Sequence, residues 1–148
     1  MARPKKNRLV ESPPSNCSFK PVGTPASGLE QVNLSLDEYE AIRLADYLSL
    51  GHAEAADEME ISRSTFTRLI ERARKKMAEF LIEGRLLQIE GGNIHFKGNR
   101  IQCSDCGHLF EANFNSALKE CPICGSDKLI DLAGSFGHGR CCRNHKKR

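Results

Sequence analysis

Apolar residues recur with a helical period through the middle of the chain. In the segment "LSLDEYEAIRLADYL", Ser35 and Glu38 have the spacing of a capping box, which marks the start of a helix. The apolar positions that follow share one helical face: Leu36, Tyr39, Ile42, Leu44 and Leu48. The pattern predicts a first helix over about residues 36–49, ended by Gly51.

Two more helices are predicted directly after it, with a very short turn between them. The segment "HAEAADEM" predicts a short helix over residues 52–59, and Ser62 is placed to cap a third helix over residues 63–82. The apolar positions of the third helix fit a period of 3.6: Phe66, Leu69, Ile70, Ala73, Met77, Phe80 and Leu81. Gly84 is the expected end of this helix.

The rest of the chain predicts little helix. Two short apolar runs flank Gly91 and Gly92, which favours a β-hairpin. Residues 1–33 contain five of the six prolines and are predicted to form an extended basic arm. The expected organisation is an arm over 1–33, a helical domain over 34–97, a small β module over 98–132 and a basic Gly/Cys/His tail over 133–148. The predicted fold class is therefore mainly α, with three helices, a hairpin and a small β module.

The second and third helices have the pattern of a helix-turn-helix. Small Ala55 and Ala56 allow close helix contact, and Met59, Ile61 and Phe66 follow at the offsets that bury the inner faces of two crossed helices. The turn of such motifs usually holds Gly four positions after the central Ala, where the backbone is left-handed. This chain has Glu60 there, which costs about 1 kcal/mol if that conformation is kept.

The formal net charge of +3 hides a strong segregation of charge. Residues 35–60 carry eight acidic side chains and one Arg, whereas residues 63–76 carry six basic side chains and one Glu. Basic residues four apart destabilise an isolated helix, so a purely structural helix gains nothing from them. A helix in the DNA major groove does gain, because phosphates flank it on both sides. The alternative is a basic amphipathic helix that packs on the acidic first helix.

Under the DNA-binding interpretation, the first turns of the third helix meet base edges. The candidate base readers are Arg63, Ser64, Thr65, Thr67 and Arg68. The candidate phosphate contacts are Arg72, Arg74, Lys75 and Lys76.

Four cysteines form the most specific motif of the chain. Cys103, Cys106, Cys121 and Cys124 make two C-x2-C pairs separated by fourteen residues. Four thiolates at this spacing suit tetrahedral Zn²⁺ and predict a structural zinc ribbon. A redox-active cysteine pair is the alternative.

The tail allows two interpretations. Spacing would permit a second metal site made from His138, Cys141, Cys142 and His145. We favour the other interpretation, a flexible basic tail whose cysteines bind nothing. His52, His95 and His108 are interpreted as surface residues, and Cys17 as an ordinary thiol.

Several segments together resemble a known family. "MARPKK", "FKPVG", "LDEYEAIRLAD", "ISRSTFTRLIERARKK" and "IEGGN" are similar to uncharacterised protein family 0251, small prokaryotic proteins predicted to bind DNA. The resemblance spans about residues 1–97. It implies a helix-turn-helix similar to sigma-factor region 4. The residues that match the start of its recognition helix are Ser62, Arg63, Ser64, Thr65, Phe66 and Arg68. Glu60 departs from the Gly usual in the family's turn.

These observations predict a transcriptional regulator that binds double-stranded DNA, with an arm that enters the minor groove and with Zn²⁺ as cofactor. A metal or redox sensor is a variant of this prediction. The alternative is a protein-interaction adaptor that contacts RNA polymerase or a ribosomal component through the ribbon. No apolar run is long enough for a membrane span, no secretory signal is present, and no catalytic pairing of residues stands out, so we expect a cytoplasmic protein that is not an enzyme. Homodimerisation is left open, as many helix-turn-helix regulators are dimers.

Overall fold

The computed structural model describes residues 7–115 and 118–143. The fold divides into two compact units, which do not follow the chain order strictly. Of the described residues, the first unit comprises 7–9 and 16–94, and the second comprises 10–15, 95–115 and 118–143.

The predicted fold class is wrong: the protein is 38% helix and 21% strand, with the strands in three sheets, so it is not mainly α. Eight strands and five helices occur in the described residues. The extra strands escaped prediction because most are two to four residues long and pair with distant segments, so that no local alternation of apolar and polar residues reveals them.

In the first unit, three helices pack around an apolar core. Helix α1 (Leu36–Ile42) continues through a π-helical turn at Arg43–Tyr47 and is followed by α2 (His52–Met59) and α3 (Arg63–Glu83). The core contains the side chains of Ala41, Leu44, Ala55, Ala56, Met59, Phe66, Leu69 and Ile70. These bounds agree with the predicted helices to within about two residues.

The helix ends are set by the predicted capping residues. The Ser35 hydroxyl accepts the backbone N–H of Glu38, and the Glu38 carboxylate accepts the N–H of Ser35, which completes the capping box. The Ser62 hydroxyl accepts the N–H of Thr65 at 3.2 Å, and α3 ends at Gly84 in the left-handed conformation. Glu60 also adopts the left-handed conformation, with φ 56° and ψ 44°, so the turn keeps its geometry without Gly.

The remaining strands of the first unit form a sheet that the sequence did not predict. β4 (Leu86–Ile89) lies between β2 (Ser18–Phe19), to which it is antiparallel, and β3 (Gln31–Leu34), to which it is parallel. A short 3₁₀ turn at Ala26–Gly28 precedes β3. Residues 16–33 therefore contribute β2 and β3, the two outer strands of this sheet.

The predicted hairpin is wrong as well. β4 and β5 (Ile94–Phe96) belong to different sheets, because β5 pairs with β1 (Arg8–Val10). The Gly91 carbonyl accepts the N–H of Leu36 at 3.0 Å, so the Gly pair is held at the start of α1. At Gly92, with φ +102°, an added Cβ would lie 2.9 Å from an Asp37 carboxylate oxygen. Glycine at position 92 therefore allows the chain to pass close to the Asp37 side chain.

The second unit is a small β structure with two short helices. β6 (Asn99–Cys103) lies between β7 (Leu109–Ala112) and β8 (Leu129–Asp131), and both pairings are antiparallel. Helices α4 (Leu132–Ser135) and α5 (Arg140–Arg143) follow β8. Among the residues that the structure describes, no helix has the length and apolar character needed to cross a membrane.

Candidate nucleic-acid interface and metal centre

The two sides of α3 differ sharply in polarity. The side that faces α1 and α2 buries Phe66, Leu69, Ile70 and Ala73 completely. The opposite side exposes Ser64, Arg68, Glu71, Arg72 and Lys75. We name Arg68, Arg72 and Lys75 the basic face of α3, since their spacings of four and three residues make them neighbours on the helix surface.

The basic face has no carboxylate partner in the described part of the chain. No Asp or Glu of residues 7–115 and 118–143 lies within ion-pair distance of Arg68, Arg72, Lys75 or Arg63. Arg63 stands at the first position of α3, beside exposed Ser64. Glu71 is the acidic residue nearest in sequence to the basic face. The arrangement leaves these positive charges directed to solvent, where they can meet an external anion.

Arg74, a predicted phosphate contact, is engaged within the unit. Its guanidinium donates two hydrogen bonds to the Asp46 carboxylate, at 2.7 and 3.2 Å. These bonds lower the pKa of Asp46 and raise that of Arg74. Both side chains are partly exposed, so the pair contributes little to stability, but it orients Arg74 toward the first helix.

Lys76, another predicted phosphate contact, is also engaged. Its ammonium lies 2.7 Å from a carboxylate oxygen of Glu38, which is buried at the start of α1. Nearby, Arg8 pairs with Asp37 at 2.6 Å. A polar cavity of about 320 Å³ lies among these groups, with Arg72 in its lining. The two ion pairs tie β1, α1 and α3 together, which assigns Lys76 a structural contact that the sequence did not reveal.

The two candidate threonines bond within the helical unit. The Thr65 hydroxyl accepts a hydrogen bond from Ser62 at 2.7 Å. The Thr67 hydroxyl donates to the Arg63 carbonyl at 3.1 Å and lies 2.9 Å from Nδ1 of His52. The His52 ring in turn packs edge-on against buried Phe66, with ring centroids 5.4 Å apart. His52 therefore joins α2 to α3, whereas the sequence suggested a surface residue.

The four cysteines of the two C-x2-C pairs come together at one point of the second unit. Their sulfur atoms all lie within 4.8 Å of one another. Cys103 and Cys124 approach to 3.5 Å, and Cys106 and Cys121 approach to 3.6 Å. Tetrahedral ligation at about 2.3 Å per Zn–S bond requires sulfur atoms about 3.8 Å apart, so the geometry fits a metal ion. The cluster is thus placed to hold a metal.

The two cysteine loops have the same local structure. The N–H groups of Gly107 and Gly125 donate to the carbonyls of Cys103 and Cys121, both at 2.9 Å. Both glycines have φ above 70°, a conformation that favours Gly. The backbone N–H of Cys106 is the main cause that lowers the pKa of the Cys103 thiol to about 7, and the N–H of Cys124 likewise lowers that of Cys121. The first cysteine of each loop therefore favours the thiolate, which is the form that binds metal, whereas the pKa of the second cysteine, Cys106 or Cys124, is raised.

Three of the four tail residues that the sequence offered as a second site also come together. His138, Cys141 and Cys142 form a cluster with His95, and His145 lies outside the described residues. Burial raises the pKa of the Cys142 thiol to about 11 and lowers the pKa of His138. His95 was interpreted as a surface residue, because it lies 47 residues before Cys142 and no ligand spacing in the sequence links the two.

Comparisons with known proteins agree with the resemblance seen in the sequence. The family described as "Protein of unknown function DUF134" matches residues 1–97. The chain belongs to this family. A "UPF0251 protein" from Chloroherpeton thalassium is 51% identical over 148 residues, which cover 100% of this chain and 98% of the relative. Others from Clostridium tetani and Halothermothrix orenii are 40% and 44% identical, with 99% and 86% of this chain and 100% and 98% of the relatives covered. No solved structure matches.

Proposed function

We propose that this protein is a non-enzymatic regulator of transcription that acts in the cytoplasm and binds double-stranded DNA through α3. The observation that carries the proposal is the basic face. Arg68, Arg72 and Lys75 project from a helix whose other side is completely buried between Phe66 and Ala73, and no carboxylate of the described chain lies within ion-pair distance of them. A helix with this distribution of charge is suited to a groove flanked by phosphates.

The connection between α2 and α3 supports a helix-turn-helix interpretation. The N–H of Ile61 donates to the Ala56 carbonyl at 3.0 Å, and left-handed Glu60 reverses the chain direction in between. Buried Ala55, Ala56 and Met59 belong to the same core as Phe66. α3 is thereby held rigidly with its N-terminal end exposed, as a recognition helix requires.

The contacts divide the nine candidate DNA-binding residues into two groups. We assign base reading to Arg63, Ser64 and Arg68, and phosphate contact to Arg72 and Lys75. Thr65, Thr67, Arg74 and Lys76 are assigned to positioning the helix, because their polar groups already bond within the unit. The Ser64 hydroxyl has only a longer contact of 3.3 Å to Ser62, and Ser64 is exposed, so it stays with the base readers.

We propose that Zn²⁺ is the metal at Cys103, Cys106, Cys121 and Cys124, and that these residues form a zinc ribbon. Four thiolates close the coordination sphere, so the ion would support the fold and would have no open position for catalysis.

One observation favours the adaptor as a second candidate function. Ile123, in the second cysteine loop, exposes 69% of its surface. An apolar side chain at the tip of a metal-bound loop suits contact with a protein such as RNA polymerase. A homodimer on DNA is compatible with either function, and light scattering of the protein with and without DNA would measure it.

The test is duplex binding by the full chain, measured as a function of salt. We first select genomic fragments with the purified protein and sequence them, then titrate the enriched duplex between 50 and 300 mM salt. The logarithm of the association constant should fall linearly with the logarithm of the salt concentration, with a slope of about −0.9 for each phosphate contact. Lys75→Ala should make this slope shallower by the value of about one phosphate contact on any DNA sequence. Arg68→Ala should weaken the binding free energy by about 1–3 kcal/mol on the selected sequence alone.

Arg74→Ala is the matched control, since it removes the same charge from the same helix but from a side chain that Asp46 holds. We expect a smaller effect on affinity than for either basic-face variant. Glu71→Gln should strengthen binding, because it removes a negative charge beside the basic face. Binding that is independent of salt, or equal loss in Arg74→Ala and Lys75→Ala, would contradict the proposal and favour the adaptor.

A further inference from the structure

We propose that the second unit holds a second metal ion, of the zinc class, at His95, His138, Cys141 and Cys142. The ligands come from two places in the chain. His95 lies in β5, whereas His138 and the two cysteines lie in and just before α5. One ligand atom of each residue lies within 4.8 Å of all the others.

The distances fit tetrahedral ligation by two sulfur and two nitrogen atoms. The sulfur atoms of Cys141 and Cys142 are 3.8 Å apart. The Cys142 sulfur lies 3.6 Å from Nδ1 of His138 and 3.8 Å from Nδ1 of His95, and the Cys141 sulfur lies 3.3 Å from Nδ1 of His138. Bond lengths of about 2.3 Å to sulfur and about 2.0 Å to nitrogen require separations of about 3.8 and 3.6 Å.

The surroundings hold these side chains in place. The backbone N–H of Phe96 donates to the Cys142 sulfur at 3.1 Å, a contact that stabilises a thiolate. The His138 N–H donates to the Ala133 carbonyl at 2.9 Å, and its ring packs edge-on against Phe96 with centroids 5.2 Å apart. Cys142 is 6% exposed, so its sulfur faces the cluster and not solvent.

The donor set selects the class of metal. Two thiolates and two imidazoles in a tetrahedral arrangement suit Zn²⁺, and Co²⁺ occupies the same geometry with a visible spectrum. All four positions come from the protein, so the ion is structural. It would join β5 to the end of the chain across the 47 residues that separate His95 from Cys142. The site shares no ligand with the four-cysteine cluster.

The experiment counts metal ions in the full chain, reconstituted with Zn²⁺ under reducing conditions. The unaltered protein should bind about two ions per chain. His95→Ala and Cys142→Ser should each bind about one ion. In samples reconstituted with Co²⁺ instead, these variants should keep the absorption spectrum of Co²⁺ bound to four sulfur atoms and lose that of Co²⁺ bound to two sulfur and two nitrogen atoms. Cys121→Ser should show the reverse, which separates failure at one site from failure at the other.

Two matched variants make the assignment specific. His108→Ala removes a histidine next to the first cysteine pair and should leave about two ions. His145→Ala removes the residue that sequence spacing offers in place of His95, and it should also leave about two ions. A single ion in the unaltered protein that is retained in His95→Ala and lost in Cys121→Ser would overturn the proposal. So would metal loss in His145→Ala but not in His95→Ala, or a mass two daltons lower in the Cys141–Cys142 peptide, which indicates a disulfide.

Discussion

The two units of this protein differ in the side chains that fill their interiors. The unit with α1–α3 buries large apolar side chains, among them Phe66, Met59 and Leu69. In the other unit, cysteines are prominent among the buried residues, and the strands around them are three to five residues long. A small unit with so little apolar core commonly depends on a metal. One chain thus combines a helical core packed from large apolar side chains with a module whose cysteines are placed to hold a metal.

The largest expected effect is the removal of metal. Chelation of the full chain should unfold the second unit, because its cysteine loops have little else to hold them. Hydrogen exchange should show loss of protection over residues 99–131. Both tyrosines lie in the first unit and the chain has no Trp, so near-UV circular dichroism from tyrosine should stay unchanged. Amides in β6 that stay protected after complete metal removal would show that the second unit does not depend on a metal for its fold.

The converse change should affect the first unit alone. Phe66→Ala deletes a completely buried ring and should reduce the free energy of unfolding of that unit by about 3–5 kcal/mol. Denaturant titration followed by tyrosine circular dichroism would measure it, and the Co²⁺ spectrum of the second unit should not change. Leu81→Ala is the control on the same helix, since Leu81 is 75% exposed and its loss should cost less than about 0.5 kcal/mol.

A smaller effect distinguishes two neighbouring lysines. Lys76→Met leaves buried Glu38 without its ammonium partner and should destabilise the first unit by about 1–2 kcal/mol, since Ser35 still donates to that carboxylate. Lys75→Met, on the exposed basic face, should change stability by less than about 0.5 kcal/mol while it weakens DNA binding. Equal destabilisation by both variants in the denaturant titration would show that the Glu38 contact has no structural role.

The smallest effect concerns the turn before α3. Glu60→Gly removes the cost of a left-handed non-Gly residue and should raise the free energy of unfolding of the first unit by about 0.5–1 kcal/mol. Glu71→Gly, in the exposed interior of α3, should instead lower it by about 1 kcal/mol. A loss of stability in Glu60→Gly would mean that the glutamate side chain makes up for its strained backbone.

Prediction from sequence succeeded where the signal was local. The bounds of α2, α3 and α1 together with its π-helical turn were predicted to within about two residues, because capping residues and an apolar face lie within a few turns of each other. The spacing of the C-x2-C pairs likewise identified the four cysteines that come together in a cluster placed to hold a metal. The mainly α assignment and the hairpin at Gly91 failed, because β2, β3 and β5 find their partners far along the chain.

Local sequence was enough to predict that α1–α3 form, where α2 and α3 begin and end, and which four cysteines gather, whereas the short helices α4 and α5 were not predicted. Only the tertiary structure decided which basic residues of α3 remain directed to solvent. Arg74 and Lys76 are basic residues of the same helical segment as Arg72 and Lys75. They differ from these two because Asp46 lies close enough to pair with Arg74, and Glu38 with Lys76. Likewise, only folding brings His95 beside Cys142. Ion pairing and metal ligation act over a few ångströms, and the number of residues between two side chains in the sequence does not reveal how far apart they lie in the fold.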